Sequence, residues 1–195
     1  MRDLFEGKEV ELPKYDFKTG KSGMSGKKLK LNEGMVLVIE GIHGLNPLLT
    51  DSLPQECLYK IYASSLHRFY NDDEKYVPRG DHRLIRRIIR DAKYRGASAK
   101  DTIARWDSVR RGEEKWIIPF RELADIEFGS TQLYELSILK NEALSVLAAV
   151  RPGDAEYAKA QELIDLLICY ESIDEKYVPQ TSLLREFLGG SNFHY

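Results

Sequence analysis

The chemistry that stands out in this sequence is a block of arginines between Asp81 and Gly96, DHRLIRRIIRDAKYRG. At helical spacing, one face of the block carries Arg83, Arg86, Arg87 and Arg90, and the other carries Leu84, Ile85, Ile88, Ile89 and Ala92. Six basic and two acidic side chains give residues 81–95 a local net charge of +4, although the whole chain has a net charge of −2. Guanidinium groups bind phosphate oxygens in pairs, so the block predicts binding of a phosphate-bearing anion. The alternative is a basic face that only contacts solvent.

A carboxylate follows an apolar segment in residues 34–40, GMVLVIE, which predicts a buried strand that ends at Glu40. In an open α/β sheet, ligands bind beyond the carboxyl ends of the strands. Glu40 is therefore a candidate magnesium ligand, bound directly or through water. The alternative is an exposed glutamate that ends the strand or caps the next turn.

A third candidate is the segment PKYDFKTG, residues 13–20, in which Tyr15 and Phe17 flank Asp16. Two aromatic rings can stack on a flat ring, and the carboxylate between them can accept a hydroxyl proton. The alternative is an aromatic pair that anchors a loop to the core. The glycine- and lysine-rich residues 18–28 that overlap its end predict a mobile loop.

Short strands that alternate with helices must position these residues. Strands are predicted at residues 58–63 and 124–128, and helices at 81–96, from Ser98 towards Val109, at 134–150, at 154–170 and just before Gly189. Asp81 and Ser98 are predicted N-caps, and Gly96 is a predicted helix stop. The pattern predicts an α/β unit with parallel strands, against which the last two long helices pack as a hairpin.

Composition is that of an ordinary globular chain, with 43% hydrophobic and 31% charged residues among 195. Apolar runs such as Met35–Ile39 are no longer than five residues, too short for a bilayer, so no membrane partner is expected. The first residues lack the apolar stretch of a signal peptide. Cys57 and Cys169 are the only cysteines, which favours a reducing, cytoplasmic location. The four histidines show no metal-ligand spacing with one another or with the cysteines.

Several segments together resemble one family of enzymes. PKYDF, VIEGI, the arginine block, a Trp/Ser/Arg-rich helix and PF-x-x-x-AD occur in the order and spacing of uridine kinase and phosphoribulokinase-like P-loop kinases, over about residues 10 to 140. IEGIHGLNPLLT, RWDSVRRGEEKWIIPF, YELSILKNEAL and SLLREFLGGS resemble bacterial uridine kinase-like proteins that carry an amino-terminal threonyl-tRNA-synthetase-like domain. The resemblance implies a partial P-loop-kinase-like parallel sheet with a helical lid. Residues 1–133 would be the carboxyl part of the kinase core, and residues 134–195 a helical extension packed on it.

The resemblance also implies roles for particular residues, with ATP and magnesium (Mg2+) as cofactors and a nucleoside as substrate. The implied substrate-binding residues are Tyr15, Asp16, Phe17 and Arg87, the residues for the triphosphate of ATP are Arg90 and Arg95, and the magnesium-site acid is Glu40. Lid arginines neutralise charge on the transferred phosphoryl group when the lid closes.

The chain also departs from the family pattern. It contains no G-x-x-x-x-G-K-[ST], and the general-base Asp of the family lies in the same missing part. The family's histidine after the YDF segment is absent, Ala97 replaces a common arginine, and Arg105 stands where many relatives have a polar amide. We therefore expect these residues to be the carboxyl part of a longer kinase and inactive alone, with no catalytic residue in this chain.

Two other functions compete with a part of a nucleoside kinase. One is a non-catalytic nucleotide- or RNA-binding module that keeps the basic helix, and the other is a structural interaction domain. The lack of an extended basic and aromatic surface argues against a nucleic-acid partner. The sequence leaves open whether the chain forms a homo-oligomer. The motif resemblance favours the kinase.

Overall fold

The computed structural model describes residues 1–16, 19–65, 69–70 and 76–193. Its strands are β1 (Val10–Asp16), β2 (Lys21–Leu29), β3 (Ile61–Ser64), β4 (Phe69–Tyr70), β5 (Tyr76–Val77) and β6 (Ile126–Gly129). Its α-helices are α1 (Arg2–Phe5), α2 (Arg79–Tyr94), α3 (Ala99–Ala104), α4 (Trp106–Trp116), α5 (Glu135–Leu147), α6 (Tyr157–Ile168) and α7 (Arg185–Leu188). Short 3-10 helices occur at Pro47–Leu49, Gln55–Cys57, Ile118–Leu123 and Glu175–Tyr177. The chain is thus a mixed α/β protein with small sheets and several helices.

The described residues form two compact units. The first contains Met1–Tyr62 and Gly112–Glu127, and the second contains Ala63–Arg111 and the chain from Phe128 onward. None of the helices in the described ranges is long and apolar enough to span a bilayer.

The loop predicted for residues 18–28 is wrong, because β2 occupies most of this segment in the amino-terminal hairpin of the first unit. Strands β1 and β2 pair antiparallel, with Val10 opposite Leu29 and Asp16 opposite Lys21. Most side chains on both faces of the hairpin are exposed, so the sequence lacks the apolar alternation by which a strand is recognised. Gly20 supplies the positive φ of +69° that the turn before β2 uses.

The buried strand predicted for residues 34–40 is also wrong. Residues 35–40 have no regular secondary structure, and Val36 and Val38 are 86% and 85% exposed. An apolar strand needs neighbours on both sides. Within the described part of the chain every strand pair is formed by β1–β6, and none of these strands pairs with the segment.

The two other predicted strands exist as β3 and β6, shifted by one to three residues at their ends. They pair with each other. Asp125 N donates to the Lys60 carbonyl at one end of the pair, and Ser130 N donates to the Ser64 carbonyl at the other. Both strands therefore run in the same direction, so the pair is parallel, as predicted. The Asp125 carboxylate also accepts from Lys60 N at 2.6 Å.

The helices of the second unit follow the predicted apolar periodicity. In α2 the buried apolar side chains are Leu84, Ile85, Ile88 and Ile89, as predicted. They pack in one core with side chains of α5, α6, α7 and the N-cap of α7, chiefly Leu136, Leu139, Leu147, Leu163, Leu167, Leu184 and Phe187. Helices α5 and α6 pack against each other, so the predicted carboxyl-terminal helical hairpin is confirmed.

The helix ends agree in part with the predictions. Gly96 follows α2 with a φ of +65°, and Ser98 forms a capping box with Asp101, so both signals are confirmed. Asp81 is not the N-cap. Helix α2 begins at Arg79, after Pro78 in extended conformation, and Asp81 lies in its first turn. The single helix predicted after Ser98 is divided into α3 and α4.

Candidate functional site

Helix α2 gathers three arginines around one carboxylate. The Asp91 carboxylate lies 3.2 Å from Nε of Arg87, 3.4 Å from Nε of Arg90 and 3.2 Å from the guanidinium of Arg95. Asp91 is nearly buried, whereas the three arginine side chains are 27–34% exposed. Three positive charges share one negative charge, so the cluster keeps a net charge of +2. It offers guanidinium groups to a solvent-borne anion.

The electrostatics of Arg87 reflect this crowding. Burial lowers the pKa of Arg87 from its usual value, and the positive charges of Arg90, Arg95 and Arg83 lower it further. The Asp91 carboxylate opposes the shift but does not cancel it. A second anion beside Arg87 would relieve this repulsion.

Arg86, predicted to share the basic face with Arg87 and Arg90, has a different environment. Its guanidinium binds both carboxylate oxygens of Glu135, with Nη2 2.6 Å from Oε2. It also donates to Ser130, with 2.9 Å from Nη2 to the carbonyl and 3.2 Å from Nη1 to Oγ. Only 13% of the Arg86 side chain is exposed, so this arginine serves an internal ion pair.

Glu135 extends this ion pair into a buried polar network, the Glu135 cluster, which comprises Glu135, Arg86, His82, Ser65 and Thr131. His82 Nε2 lies 2.9 Å from Glu135 Oε1, and His82 Nδ1 lies 2.7 Å from Ser65 Oγ. Ser65 Oγ is also 2.9 Å from Thr131 Oγ1. Ser65 directly follows β3 and Thr131 closely follows β6, so the cluster joins the carboxyl ends of both parallel strands to α2.

Glu135 was not predicted from the sequence, although one signal was present. Glu135 precedes Leu139 by four residues and therefore lies on the apolar stripe of α5. A carboxylate on an apolar stripe must find a buried partner, because an isolated buried charge is strongly disfavoured. Such a position indicates a buried ion pair but does not identify the partner, which is Arg86, 49 residues away.

The Glu135 cluster should make stability depend on pH. Burial alone would raise the pKa of Glu135, but the hydrogen bonds from Arg86 and His82 outweigh it and hold the pKa below its ordinary value of 4.5. The carboxylate then contributes its full stabilisation above pH 4.5, and this contribution is lost as the pH falls towards the folded-state pKa. Urea denaturation from pH 7 to pH 3 should show the stability difference between the wild type and Glu135→Gln shrinking below pH 4.5. A difference that stays constant over this range would contradict the assignment.

Two of the predicted nucleoside-contact residues, Tyr15 and Asp16, lie at the end of β1. Tyr15 is about half exposed. The Asp16 carboxylate accepts from Thr19, at 2.8 Å from Oγ1 and 3.4 Å from N, and so supports the turn into β2. Phe17 lies outside the described residues.

Glu40 is exposed and is the last residue of the irregular segment described above. Among the described residues, no three His, Cys, Asp or Glu side chains come together as a metal site. A single carboxylate still fits magnesium, because this ion is often held by one or two carboxylates together with water and phosphate oxygens. Glu40, Tyr15 and Asp16 belong to the first unit, and the arginine cluster belongs to the second.

Comparison with known proteins shows which family this chain resembles. The model of the phosphoribulokinase / uridine kinase family matches residues 1–137. A uridine kinase of Staphylococcus epidermidis is 30% identical over 128 residues, which are 65% of this chain and 53% of that protein. A uridine kinase of Staphylococcus aureus is 31% identical over 128 residues, which are again 65% of this chain and 53% of that protein. The chain thus spans about half the length of these curated relatives, and no solved structure matches it. The family match covers more than two thirds of the residues, so the chain belongs to the phosphoribulokinase / uridine kinase family.

Proposed function

We propose that the chain is part of an ATP-dependent nucleoside kinase of the uridine type, to which it contributes a nucleoside-binding segment, a magnesium-site acid and a phosphate-binding lid. Family membership supports a nucleoside kinase, and the relatives cited above are named uridine kinases. The observation that carries the proposal is the cluster of Arg87, Arg90 and Arg95 around Asp91. It concentrates positive charge along the second half of one helix, as a polyphosphate ligand requires.

The arginines have separate roles in this proposal. Arg87 faces the nucleoside, and Arg90 and Arg95 bind the triphosphate of ATP. Phosphoryl transfer spreads negative charge over the equatorial oxygens, and enzymes accelerate it mainly by positioning and by neutralising that charge. Guanidinium groups suit this task because they stay protonated and bind two oxygens at once.

The first unit would hold the nucleoside and the metal. Tyr15 and Phe17 would pack on the base, and Asp16 would lie between them in the nucleoside-binding segment. Glu40 would contact magnesium, which when bound neutralises phosphate charge. The exposure of Tyr15 and the carboxylate chemistry of Glu40 are compatible with these roles.

The chain is proposed to act as the carboxyl part of a larger kinase with an amino-terminal threonyl-tRNA-synthetase-like domain. Residues 1–133 would complete the kinase core, and residues 134–195 would form the helical extension. No G-x-x-x-x-G-K-[ST] occurs in these 195 residues, so they do not contain the phosphate-loop motif of the family. The isolated chain is therefore expected not to phosphorylate uridine, and transfer of labelled phosphate from ATP to uridine above the level of a mock purification would refute this.

Triphosphate binding tests the proposal on the chain itself. The wild type should bind inorganic triphosphate and ATP in calorimetric titrations, with an affinity that falls as salt is added. Arg90→Gln should weaken this binding about tenfold, because a charge-assisted contact is lost. Arg151→Gln removes an exposed arginine from the connection between α5 and α6 and serves as the charge-matched control, with unchanged affinity expected.

The alternatives give different results in the same titrations. No triphosphate binding by the wild type, or equal losses in Arg90→Gln and Arg151→Gln, would contradict the proposal. A single-stranded RNA oligonucleotide that binds with a steep salt dependence while ATP does not bind would support a nucleic-acid-binding module instead.

A further inference from the structure

Helix α2 presents arginines to two different partners. Arg86 is directed to the buried Glu135, whereas Arg87 and Arg90 contact Asp91 on the accessible side. Successive residues of a helix are about 100° apart, so the direction of Arg86 determines that of Arg87. The contacts that hold Arg86, together with the buried apolar face of α2, thus set the rotation of α2 and the direction in which the arginine cluster faces.

The groups around Glu135 hold Arg86 firmly. Oε1 of Glu135 accepts from Arg86 Nε and lies next to His82 Nε2, while Oε2 accepts from Arg86 Nη2 and from Gln132 N. The Ser130 carbonyl also accepts from Arg86 Nη2, at 2.9 Å. A planar fork bound on two sides has little freedom to rotate.

The carboxyl-terminal residues add two further contacts on α2. The Arg86 guanidinium lies 5.5 Å from the centre of the Phe187 ring. Lys93, in the last turn of α2, donates to the Leu188 carbonyl. Helix α2 is thus held near its middle and at its end by residues beyond β6.

We propose that Glu135 is a positioning residue for the anion-binding arginines. It binds Arg86 and His82 on the inner side of α2 and so fixes the rotation at which Arg87 and Arg90 face the phosphates. The inference rests on the proposed function, because it needs the arginine cluster to bind a polyphosphate. It gives a function to Glu135, the first residue of α5, which lies close to the end of the region that the family model matches.

The test measures the affinity of the whole chain for inorganic triphosphate, well below the unfolding temperature of every variant. Glu135→Gln should weaken binding about tenfold, since small displacements of binding groups carry large penalties. In an Arg90→Gln background the same substitution should have a much smaller effect, because Glu135 acts through the arginines. Nitrogen-15 spectra of the arginine side chains should show shifted Nε signals for Arg87 and Arg90 in Glu135→Gln. A loss of stability alone would not shift these Nε signals, and it would not make the effect of Glu135→Gln depend on Arg90.

Arg86→Lys provides a second variant if Glu135→Gln does not fold. The ammonium group keeps the charge but cannot bind both Glu135 oxygens and the Ser130 carbonyl as a planar fork does. It should weaken triphosphate binding several-fold. Wild-type affinity in either folded variant, or equal losses with and without Arg90, would overturn the positioning role. Failure of the wild type to bind triphosphate would instead refute the proposed function itself.

Discussion

Glu135→Gln is expected to lower the free energy of unfolding by about 3 kcal/mol at neutral pH. The carboxylate is fully buried, and its loss leaves the Arg86 guanidinium in the interior without a counter-charge. Breaking a buried pair by removing one partner is costly because the remaining charge is uncompensated and poorly solvated. Urea denaturation followed by the fluorescence of the buried Trp106 in a Trp116→Phe background measures the change in the second unit.

An exposed ion pair of the same unit provides the control. Lys100 lies on α3, is about half exposed and binds the Asp154 carboxylate. Water solvates both partners when such a pair is broken, so Lys100→Gln should leave the denaturation midpoint close to that of the wild type. Equal shifts of the midpoint in the two variants would show that burial does not determine the strength of the Glu135 pair.

Leu139→Ala is expected to lower the free energy of unfolding by about 3 kcal/mol. Leu139 is fully buried in the core that α2, α5 and α6 share. Its truncation removes apolar contacts and leaves a cavity that the surrounding helices fill only in part. Because α2 packs on α5, amide hydrogen exchange should accelerate in α2 as well as in α5 and α6.

Leu133→Ala is the matched control for this variant. Leu133 is 77% exposed, so its truncation should change stability by less than about 0.5 kcal/mol. Faster exchange in α5 and α6 with unchanged protection of α2 would show that the carboxyl-terminal helices unfold as a separate unit. Such a result would contradict a single core that includes the arginine helix.

Helices could be predicted from this sequence because their signals are local. The period of Leu84, Ile85, Ile88 and Ile89 identifies a buried face, and Ser98 and Gly96 mark helix ends through their own side-chain and backbone chemistry. These features depend on residues within one or two turns. The structure confirms them for that reason.

The strands were harder to predict from the sequence because their stability depends on partners that are distant in sequence. The apolar residues 35–39 resemble a core strand, but the described residues provide no neighbour for them. The hairpin of β1 and β2 is exposed on both faces, so no apolar alternation indicates it. Pairing, rather than composition, decides whether such segments become strands.

The candidate site shows the same division. Spacing alone correctly predicts that Arg87 and Arg90 share a helix face, because i and i+3 positions are neighbours in any helix. It also places Arg86 on that face, whereas Arg86 is bound by Glu135, which is 49 residues away. Sequence spacing predicts which arginines are adjacent, but only tertiary packing determines which of them remain accessible.

The parallel pairing of β3 and β6 has a consequence for the order of folding. The hydrogen bond from Lys60 to Asp125 joins residues 65 positions apart, so closing this contact in an unfolded chain has a large entropic cost. Helices α2, α3 and α4 lie between the two strands and consist of local contacts that form quickly. Their formation shortens the intervening chain, and the strands then meet late. The rate-limiting step of folding is therefore expected to be the closure of this strand pair.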